Sequence, residues 1–434
     1  MEDNNLYQLD GRVPLLRAIP FGLQHVLAMF VSNITPIIIL AGAAGLGSEL
    51  SAILIQNCMI IAGIGTLVQL YPVWKIGSRL PVVMGISFTF VSIFCYIGPI
   101  YGYETIMGAV LIGGIVEGTL GLCAKYWIKL IPPVVAATVV TAIGFSLLSV
   151  GAASFGGGTG NENFGSWQNL LLGAITLVCC LGFNVLAKSY LKQLSPLFGL
   201  VVGYVVAVII GVVDFSALRS AQVISLPQIM PFELKFDIGA IIAVVVIFMV
   251  SATETIGDVS ALVSSGLGRE ASPKEISGAV ACDGFVSALS SLFGCLPITS
   301  FSQNVGLVSM TKVVNRFAIF TGAVIMVLAG LFPVVGALLA TLPDAVLGGC
   351  TIMMFGNIVE CGIQMIAKCG FTQRNITIVA LSLSVGLGFT QIPGMFAIFP
   401  QLVKNVFAEN CVAVVFVMAI VLNLVLPKEK VEKK

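Results

Sequence analysis

Long apolar stretches separated by short polar loops make up most of this chain. Windows long enough to cross about 30 Å of hydrocarbon recur fourteen times, and two of them are short. In chain order they are segments one to fourteen, at residues 20–42, 51–72, 81–99, 105–123, 130–151, 168–187, 195–213, 237–260, 275–293, 297–312, 317–340, 345–366, 375–392 and 408–427. The pattern predicts an all-α polytopic membrane protein with fourteen transmembrane segments.

The positive charges of the loops predict the orientation, because cytoplasmic loops carry an excess of Lys and Arg. With both termini in the cytoplasm, only Arg219, Lys235 and Lys404 of the 21 basic residues fall in loops on the other side. A miscounted segment would invert every later loop, so this distribution favours fourteen crossings. We therefore expect a multi-pass protein of the cell (inner or plasma) membrane, with cytoplasmic tails at 1–19 and 428–434.

The third and tenth segments begin with related sequences, LPVVMGISF at 80–88 and LPITSFSQN at 296–304, about half the chain length apart. The two halves share a second feature: Pro132-Pro133 lies at the start of segment five, and Pro343 lies at the start of segment twelve. Because each half has an odd number of crossings, two homologous halves would have opposite orientations in the membrane. The sequence thus predicts a 7+7 inverted repeat.

Short, Pro- and Gly-interrupted segments in corresponding halves indicate a transporter site. A helix broken at mid-membrane leaves backbone groups without partners, and these are tolerated only where they line a cavity or are buried in protein. We expect β-like breaks in segments three and ten, each followed by a half-helix whose N-terminus points at the ligand. The alternative is that Pro81 and Pro297 merely start helices.

Polar side chains accompany these breaks at membrane depth, where a carboxylate costs about 2.5–3.5 kcal/mol on insertion scales and is a functional hypothesis by default. Glu254 and Asp258, four residues apart, share one face of segment eight. Asp283 follows on segment nine, and Gln303 with Asn304 on segment ten. Carboxylates accept N–H donors and an amide offers a donor beside an acceptor. The set suits a flat, hydrogen-bonding solute, on which Phe88 could stack.

Several of these residues also have simpler interpretations. Asp258 lies nearer the cytoplasmic end of its segment and is as well explained by a hydrogen bond to a neighbouring helix; Phe88 and Asn304 could serve packing alone. The single histidine, His25, could carry a proton, although a helix-to-helix hydrogen bond is the favoured interpretation. Glu117 and Glu360, toward the cytoplasmic ends of segments four and twelve, are expected to be solvated or paired.

Composition narrows the function classes. The chain is 58% hydrophobic and 9% charged, against about 25% charged residues in soluble domains, and its mean hydropathy is +1.07. A net charge of +1 gives no sign of nucleic-acid binding. Eleven cysteines lie mostly in apolar runs and there is one histidine, so we predict no metal site and no cofactor.

The decapeptide QNVGLVSMTK at 303–312 resembles the signature of the nucleobase/ascorbate transporter family, the xanthine, urate and uracil permeases. That signature is Gln/Glu/Pro-Asn-x-Gly, four residues, then Thr and Arg/Lys/Gly. Gln24-His25, the GISF sequence at 85–88 and the ETIGD sequence at 254–258 are similar to the family's other motifs. The likeness spans the chain, and the ten-residue signature is its specific part.

The resemblance implies two domains with substrate between them. A core domain of segments one to four and eight to eleven would cover 20–124 and 237–340. A gate domain of segments five to seven and twelve to fourteen would cover 125–236 and 341–427. The resemblance further implies a homodimer that forms through the gate domains.

The family resemblance also implies which residues form the substrate-binding site. The substrate-binding residues would be Glu254, Gln303, Phe88, Ser87, Ser302 and Phe301, with backbone amides of segments three and ten contributing. The surrounding polar network would be Asp283, Asp258, His25 and Asn304. Uracil permeases typically have His where this chain has Asp258 and Glu where it has Gln303, so both departures favour an oxidised purine.

The sequence hypothesis is therefore import of xanthine, uric acid or a close analogue by proton symport with alternating access, with sodium coupling left open. Coupling would follow if one buried carboxylate, Glu254 first, binds a proton together with the base. A uracil or other nucleobase permease is the alternative. An anion exchanger is a more distant alternative, because an anion-binding site would require fixed positive groups. An intramembrane protease using Asp258 and Asp283 is disfavoured, because the expected Gly-x-Gly-Asp and Tyr-Asp elements are absent.

Overall fold

The computed structural model of this chain describes residues 2–128, 131–158, 161–215, 218, 224–392, 394–408 and 410–427. The predicted C-terminal tail 428–434 and the loop cations Lys129 and Arg219 lie outside the described residues. The N-terminal tail forms a 3₁₀ helix, Glu2–Tyr7, and the first long helix begins at Leu15, within the predicted tail.

The described chain is mostly helical. Its helices are α1 Leu15–Ala43, α2 Ser48–Leu70, α3 Val91–Tyr101, α4 Tyr103–Leu122, α5 Ala124–Trp127, α6 Pro133–Phe155, α7 Trp167–Leu186, α8 Ser195–Ile209, α9 Ile238–Leu262, α10 Pro273–Ser291, α11 Ser302–Thr311, α12 Arg316–Gly330, α13 Pro333–Ala340, α14 Asp344–Cys369, α15 Gln373–Thr390, α16 Gln401–Phe407 and α17 Cys411–Val425. Two strands, β1 Met84–Ile86 and β2 Ile298–Ser300, precede α3 and α11.

Every predicted window overlaps one of these elements, but the number of crossings stays a prediction. Within the described ranges, eight helices are long and apolar enough to cross a membrane by themselves. The window 317–340 is two helices, α12 and α13, bent by 78° and counted as a ninth crossing if they form one span. Segments three, ten and fourteen contain helices of 11, 10 and 15 residues, which are too short to pass this test alone. The helices of segments nine and thirteen, α10 and α15, do not pass it either.

Prolines and polar caps set the helix starts. Pro133 occupies the first turn of α6 and Pro343 caps α14, positions where a missing N–H costs nothing. At α10, Ser272 Oγ accepts a hydrogen bond from Glu275 N (3.3 Å), and Glu275 Oε2 accepts one from Ser272 N (2.8 Å). This capping box fixes the entry of α10, the helix that carries Asp283.

The expected breaks are confirmed as strands that pair with each other. β1 and β2 are antiparallel, with Met84 opposite Ser300 and Ile86 opposite Ile298. Ser87 N donates to Pro297 O (3.0 Å) and Phe301 N donates to Val83 O (2.9 Å), which extends the ladder at both ends. All six strand residues are buried.

Side chains of the surrounding helices satisfy the outer edges of this ladder. Met84 N donates to Thr66 Oγ1 of α2 (3.0 Å), and Ile86 N donates to Asn33 Oδ1 of α1 (2.7 Å). On β2, Ser300 N donates to Asp283 Oδ2 (2.8 Å) and Ile298 N donates to Ser287 Oγ (3.1 Å), both acceptors lying on α10. The broken backbone therefore has partners without water, as burial requires.

The long helices pack in two groups. In the first, α4 packs on α9 and α10, and α12 packs on α1 and α2. In the second, α6 packs on α14, α7 on α8, and α15 on α17. The strand pair lies in the first group, and helices of both groups meet near it.

Small residues allow α4 and α10 to approach closely, as in many helix pairs of membrane proteins. A Cβ added at Gly284 would lie 2.6 Å from Gly114 O and from Gly118 Cα. A Cβ at Gly114 would lie 2.6 Å from Ala288 N and Gly284 O. These obstacles are backbone atoms, so a methyl group here requires the helices to separate.

We expect Gly284→Ala to lower the melting temperature of the purified protein, because overpacking a tight contact costs about 1–3 kcal/mol. Gly182→Ala, the same substitution on α7 where an added Cβ meets no atom within 4 Å, should leave it unchanged. Thermal unfolding in detergent measures both variants. Equal melting curves for Gly284→Ala and the unaltered protein would contradict this account of the helix contact.

Candidate functional site

A small buried cavity of ≈ 40 Å³ lies where the two strands end and the short helices begin. Its lining residues are Ile86, Ser87, Phe88, Ile143, Glu254, Thr299, Ser300, Phe301, Ser302, Gln303 and Ile358. Strand and half-helix residues supply most of the wall, α9 supplies the carboxylate, and α6 and α14 supply the two isoleucines. The site therefore lies between the two helix groups.

Glu254 is the charged group of the cavity lining. Its Oε2 accepts a hydrogen bond from Thr89 Oγ1 (2.6 Å), and its Oε1 lies 3.4 Å from Ser302 Oγ. Ser302 Oγ is closer to Asp258 Oδ2, at 2.8 Å. A hydroxyl has one proton to donate, so the shorter bond to Asp258 leaves Glu254 Oε1 weakly satisfied and able to accept from a ligand.

Asp258 and Glu254 share one face of α9, as their spacing predicted, since both reach Ser302. Asp258 does not line the cavity and is buried. Its bond to Ser302 is the helix-to-helix hydrogen bond that the sequence offered as one of two interpretations. Thr89 was not predicted. Its position directly after Phe88 in the interrupted segment was the available signal.

Gln303 presents an amide beside Glu254, at the second position of α11. Its Oε1 accepts a hydrogen bond from Ser32 Oγ of α1 (2.8 Å), which fixes the orientation of the amide. Within the part of the chain that the structure describes, Nε2 has no partner and can donate to a ligand. Ser32 was also not predicted, although Ser32-Asn33 is a polar pair within an apolar segment.

Aromatic and branched side chains form the flat walls of the cavity. Phe88 packs edge-to-face on Phe355 of α14, with ring centroids 5.3 Å apart and planes at 84°. Phe301, which directly follows β2, also lines the cavity. Ile143 of α6 and Ile358 of α14 line its opposite side. An aromatic ring entering this space would meet apolar surfaces on both sides.

The backbone amides of Ser87 and Phe301 are used in the strand ladder, where they donate to Pro297 O and Val83 O. The amides of Ser302 and Gln303 occupy the first turn of α11, where N–H groups have no partner within the helix. Ser302 and Gln303 therefore have backbone donors suited to a ligand, whereas the amides of Ser87 and Phe301 are already used.

Asp283 is fully buried and does not line the cavity. Its Oδ1 accepts from Gln69 Nε2 (3.0 Å) and Ser300 Oγ (3.2 Å), and its Oδ2 accepts from Thr255 Oγ1 (2.6 Å) and Ser300 N (2.8 Å). Four donors stabilise the ionised form. The aspartate ties α2, α9 and β2 to α10, which makes it a positioning residue.

His25 and Asn304 lie next to each other, away from the cavity lining. Asn304 Nδ2 donates to His25 O (3.3 Å), whereas His25 Nδ1 and Asn304 Oδ1 are buried without a partner among the described residues. The contact joins α1 to α11. It agrees with the helix-packing interpretation of Asn304, whereas the bond at His25 is made by its backbone carbonyl and not by the imidazole.

The expectation for Glu117 was wrong. Its side chain is fully buried in α4, and neither carboxyl oxygen has a hydrogen-bond partner in the described chain. Glu117 lies on the face of α4 that packs against α9 and α10, so it is buried although Thr119 and Cys123, further along the same segment, are exposed. Glu360, in contrast, is exposed and accepts a hydrogen bond from Gln364 Nε2 (3.0 Å), as expected.

A larger cavity of ≈ 330 Å³ adjoins the small one and shares Ser302, Gln303 and Ile358 with it. Its wall extends to Lys192 and Glu360, which lie on the side predicted to be cytoplasmic. No group of three or more His, Cys, Asp or Glu residues suited to a metal ion occurs among the residues searched, those that the structure describes.

Comparison with known proteins gives concordant results. A family model described as a permease family matches residues 16–395. The xanthine permease XanQ of Escherichia coli (strain K12) is 34% identical, over 97% of this chain and 94% of the relative. The xanthine permease XanP of the same organism is 30% identical, over 98% and 95%.

Among solved structures, the transmembrane domain of a cyanobacterial bicarbonate transporter, BicA, superposes with a TM-score of 0.60 at 16% identity, covering 92% of this chain and 97% of that one. At this identity the likeness concerns the fold alone. The family match and the relatives, together with the signature at 303–312, show that the chain is a transport protein and not an enzyme, and that it belongs to the nucleobase/ascorbate transporter family of permeases.

Proposed function

We propose that this chain imports a purine nucleobase, xanthine, uric acid or a close analogue, by proton symport. The observation that carries the proposal is the pairing of the Glu254 carboxylate with the Gln303 amide in one cavity walled by Phe88 and Phe301. Two relatives with about a third of their residues identical are named xanthine permeases, which supports this substrate class.

The donors and acceptors of the cavity suit the edge of an oxidised purine. Glu254 can accept from ring N–H groups, and Gln303 Nε2 with the first-turn amides of α11 can donate to carbonyl oxygens. Because buried polar groups left unpaired are costly, a base that lacks these edges is rejected. The 40 Å³ cavity is smaller than a purine, so binding requires the helix groups to part slightly.

We further propose that transport occurs by alternating movement of a core domain, 20–124 with 237–340, against a gate domain, 125–236 with 341–427. The cavity lies between helices of these two units, as a moving interface requires. The adjoining 330 Å³ cavity reaches residues on the predicted cytoplasmic side. We assign the structure to a cytoplasm-facing state on this basis.

The helix packing supports the inverted repeat and with it fourteen crossings. The predicted repeat relates segments one, two, four, six and seven to segments eight, nine, eleven, thirteen and fourteen. Under this exchange, the pair α2 and α12 corresponds to the pair α10 and α4. The pair α1 and α12 becomes α9 and α4, and α7 with α8 becomes α15 with α17. All six pairs pack directly on each other, and the two strands exchange with one another.

Two helices of the gate domain, α7 and α8, are peripheral. In their most apolar windows, 22% of residues in α7 and 39% around α8 are buried, against 72% in α1 and 78% in α2. The wide apolar faces of α7 and α8 suit contact with lipid or with a second copy of this chain. We propose a homodimer through the gate domains, in the cell membrane, with both termini in the cytoplasm.

Two other cargoes are less well supported. A uracil permease would differ at Asp258 and Gln303, where that subfamily typically carries His and Glu. An anion exchanger has the fold neighbour BicA in its favour, but the cavity lining holds a carboxylate and no Lys or Arg. An inorganic anion would find no cation in this lining to offset its charge.

The substrate and its coupling ion can be tested together by uptake. Radiolabelled xanthine and urate should accumulate in cells that lack purine permeases, and a protonophore should abolish the accumulation, whereas removal of sodium should not. A thermal-shift screen of nucleobases, including uracil, on the purified protein gives an independent measure of binding. Uptake of neither purine, or uptake indifferent to the proton gradient, would refute the corresponding part of the proposal.

Glu254→Gln and Gln303→Ala should each weaken xanthine binding strongly. A hydrogen bond to a charged group contributes about 1.5–3 kcal/mol, so loss of the carboxylate lowers affinity on the order of tenfold to a hundredfold. Glu162→Gln, the same change at an exposed loop residue, is the control. Equilibrium binding of labelled xanthine, at equal membrane abundance of each variant, is the measurement. Unchanged affinity in either variant would show that the substituted residue does not bind the base and that the site lies elsewhere.

Asp283→Asn should destabilise the fold as well as abolish transport, because an amide nitrogen then faces donors that the carboxylate accepted. Breaking a buried charged network costs about 3–5 kcal/mol. Asp258→Asn keeps an oxygen for its bond with Ser302 and should lower the melting temperature less. Thermal unfolding in detergent compares the two, and a larger loss in Asp258→Asn would contradict the anchoring role of Asp283.

A further inference from the structure

Glu117 is a buried carboxyl group that the proposed substrate site does not use. Its side chain is 0% exposed, and both oxygens lack a hydrogen-bond partner in the described chain. Its neighbour Gly118 lies against Phe285 of α10, where an added Cβ would come 2.8 Å from the ring. Such tight packing leaves little space for water around the carboxyl group.

An ionised carboxylate in this place would be costly. The effective penalty for taking one ion out of water is several kcal/mol, and it is offset only by good hydrogen bonds or an opposite charge. Asp283 accepts four hydrogen bonds and can remain ionised, whereas neither oxygen of Glu117 accepts a well-formed hydrogen bond from the described part of the chain. No Lys, Arg or His among the described residues forms an ion pair with Glu117. The surroundings of Glu117 therefore favour its protonated, neutral form in this conformation.

The groups that face Glu117 come from both helices packed on it. Helix α9 contributes the Ser251 hydroxyl, which lies close to the carboxyl group without the geometry of a full hydrogen bond, and the Glu254 carboxylate, while α10 contributes Asp283. A negative charge on Glu254 or on Asp283 disfavours ionisation of Glu117, because like charges repel. Proton binding at Glu117 thus depends on the state of the carboxylate that lines the cavity.

One turn of α9 links the three carboxyl groups. Ser251 lies beside Glu117, Glu254 lines the cavity, and Thr255 donates to Asp283. We propose that Glu117 is the binding site of the transported proton, located behind the substrate cavity and coupled to it through this turn. The proposal deepens the proton symport advanced above and rests on it.

The proton balance is simple. Glu117 takes up one proton when water reaches it from the outside, and the proton travels with the neutral base while the site is closed. Opening toward the cytoplasm hydrates the carboxyl group, and the O–H bond breaks with transfer of the proton to water. No other group needs to be oxidised, reduced or exchanged.

Infrared spectroscopy tests the protonation state without transport. The spectrum of the unaltered protein minus that of Glu117→Gln should contain the carbonyl stretch of a protonated carboxylic acid. Glu117→Met, apolar and of similar length, serves as a second variant if the amide disturbs folding. Glu104→Gln, at the start of the same helix, is the control and should show no such band. Absence of the band in both Glu117 differences would overturn the proposal.

Transport measurements test the coupling. Glu117→Gln imitates the protonated side chain, so exchange of internal for external xanthine should persist in proteoliposomes within a few-fold of the unaltered rate. Accumulation driven by an imposed pH gradient should be lost, and exchange should no longer vary with pH. Glu104→Gln should retain both properties. Full gradient-driven accumulation by Glu117→Gln would assign Glu117 a structural role and overturn the inference.

Failure of proton symport and failure of the role of Glu117 give different results. If the unaltered protein exchanges xanthine but does not respond to a pH gradient, proton symport itself is refuted. If the unaltered protein responds and Glu117→Gln responds equally, only the role of Glu117 is refuted.

Discussion

The structure depends on satisfying the backbone of two interrupted segments inside a membrane. A strand in hydrocarbon is unstable because each unpaired N–H or C=O costs several kcal/mol. Here β1 and β2 pair with each other, and Asn33, Thr66, Asp283 and Ser287 accept the outward N–H groups of the pair. The acceptors come from α1, α2 and α10, so those helices cannot shift without breaking the ladder.

This constraint explains where the site lies. The strand pair fixes the starts of the short helices, and these starts carry Phe88, Ser302 and Gln303. Helix α9 is tied to the same unit through Thr255 and Asp283, which brings Glu254 to the same place. Ile143, Phe355 and Ile358 approach from the other helix group without a hydrogen bond to this unit among the described contacts. The polar groups of the site are thus held within one hydrogen-bonded unit, and its apolar wall comes from the other helix group.

The sequence predicted the elements whose signal is local or repeated. The motifs starting at Pro81 and Pro297 predicted the strands, and the spacing of Glu254 and Asp258 predicted their shared face. Partners on other helices could not be predicted, because Ser32 and Gln303 or Thr89 and Glu254 are far apart in the chain and meet only through packing.

Asp283 and Glu117 illustrate the same limit. Both were recognised as acidic residues in apolar segments, but spacing does not reveal how many donors surround a carboxylate. Asp283 accepts four hydrogen bonds, and Glu117 accepts none from the described residues. The two carboxyl groups therefore differ in their donors and not in the kind of segment that carries them. The expectation for Glu117 failed because it was based on position along its segment.

A common scaffold can serve opposite cargoes when the charge of its site changes. This chain has the fold of BicA, a bicarbonate transporter, at 16% identity, and fold does not determine function. The helix N-terminus of α11 offers N–H groups and a partial positive charge, which alone would attract an anion. Glu254 lies in the same cavity and cancels that attraction. What remains is a neutral arrangement of donors and an acceptor between apolar walls, which favours an uncharged, planar, hydrogen-bonding molecule over an inorganic ion.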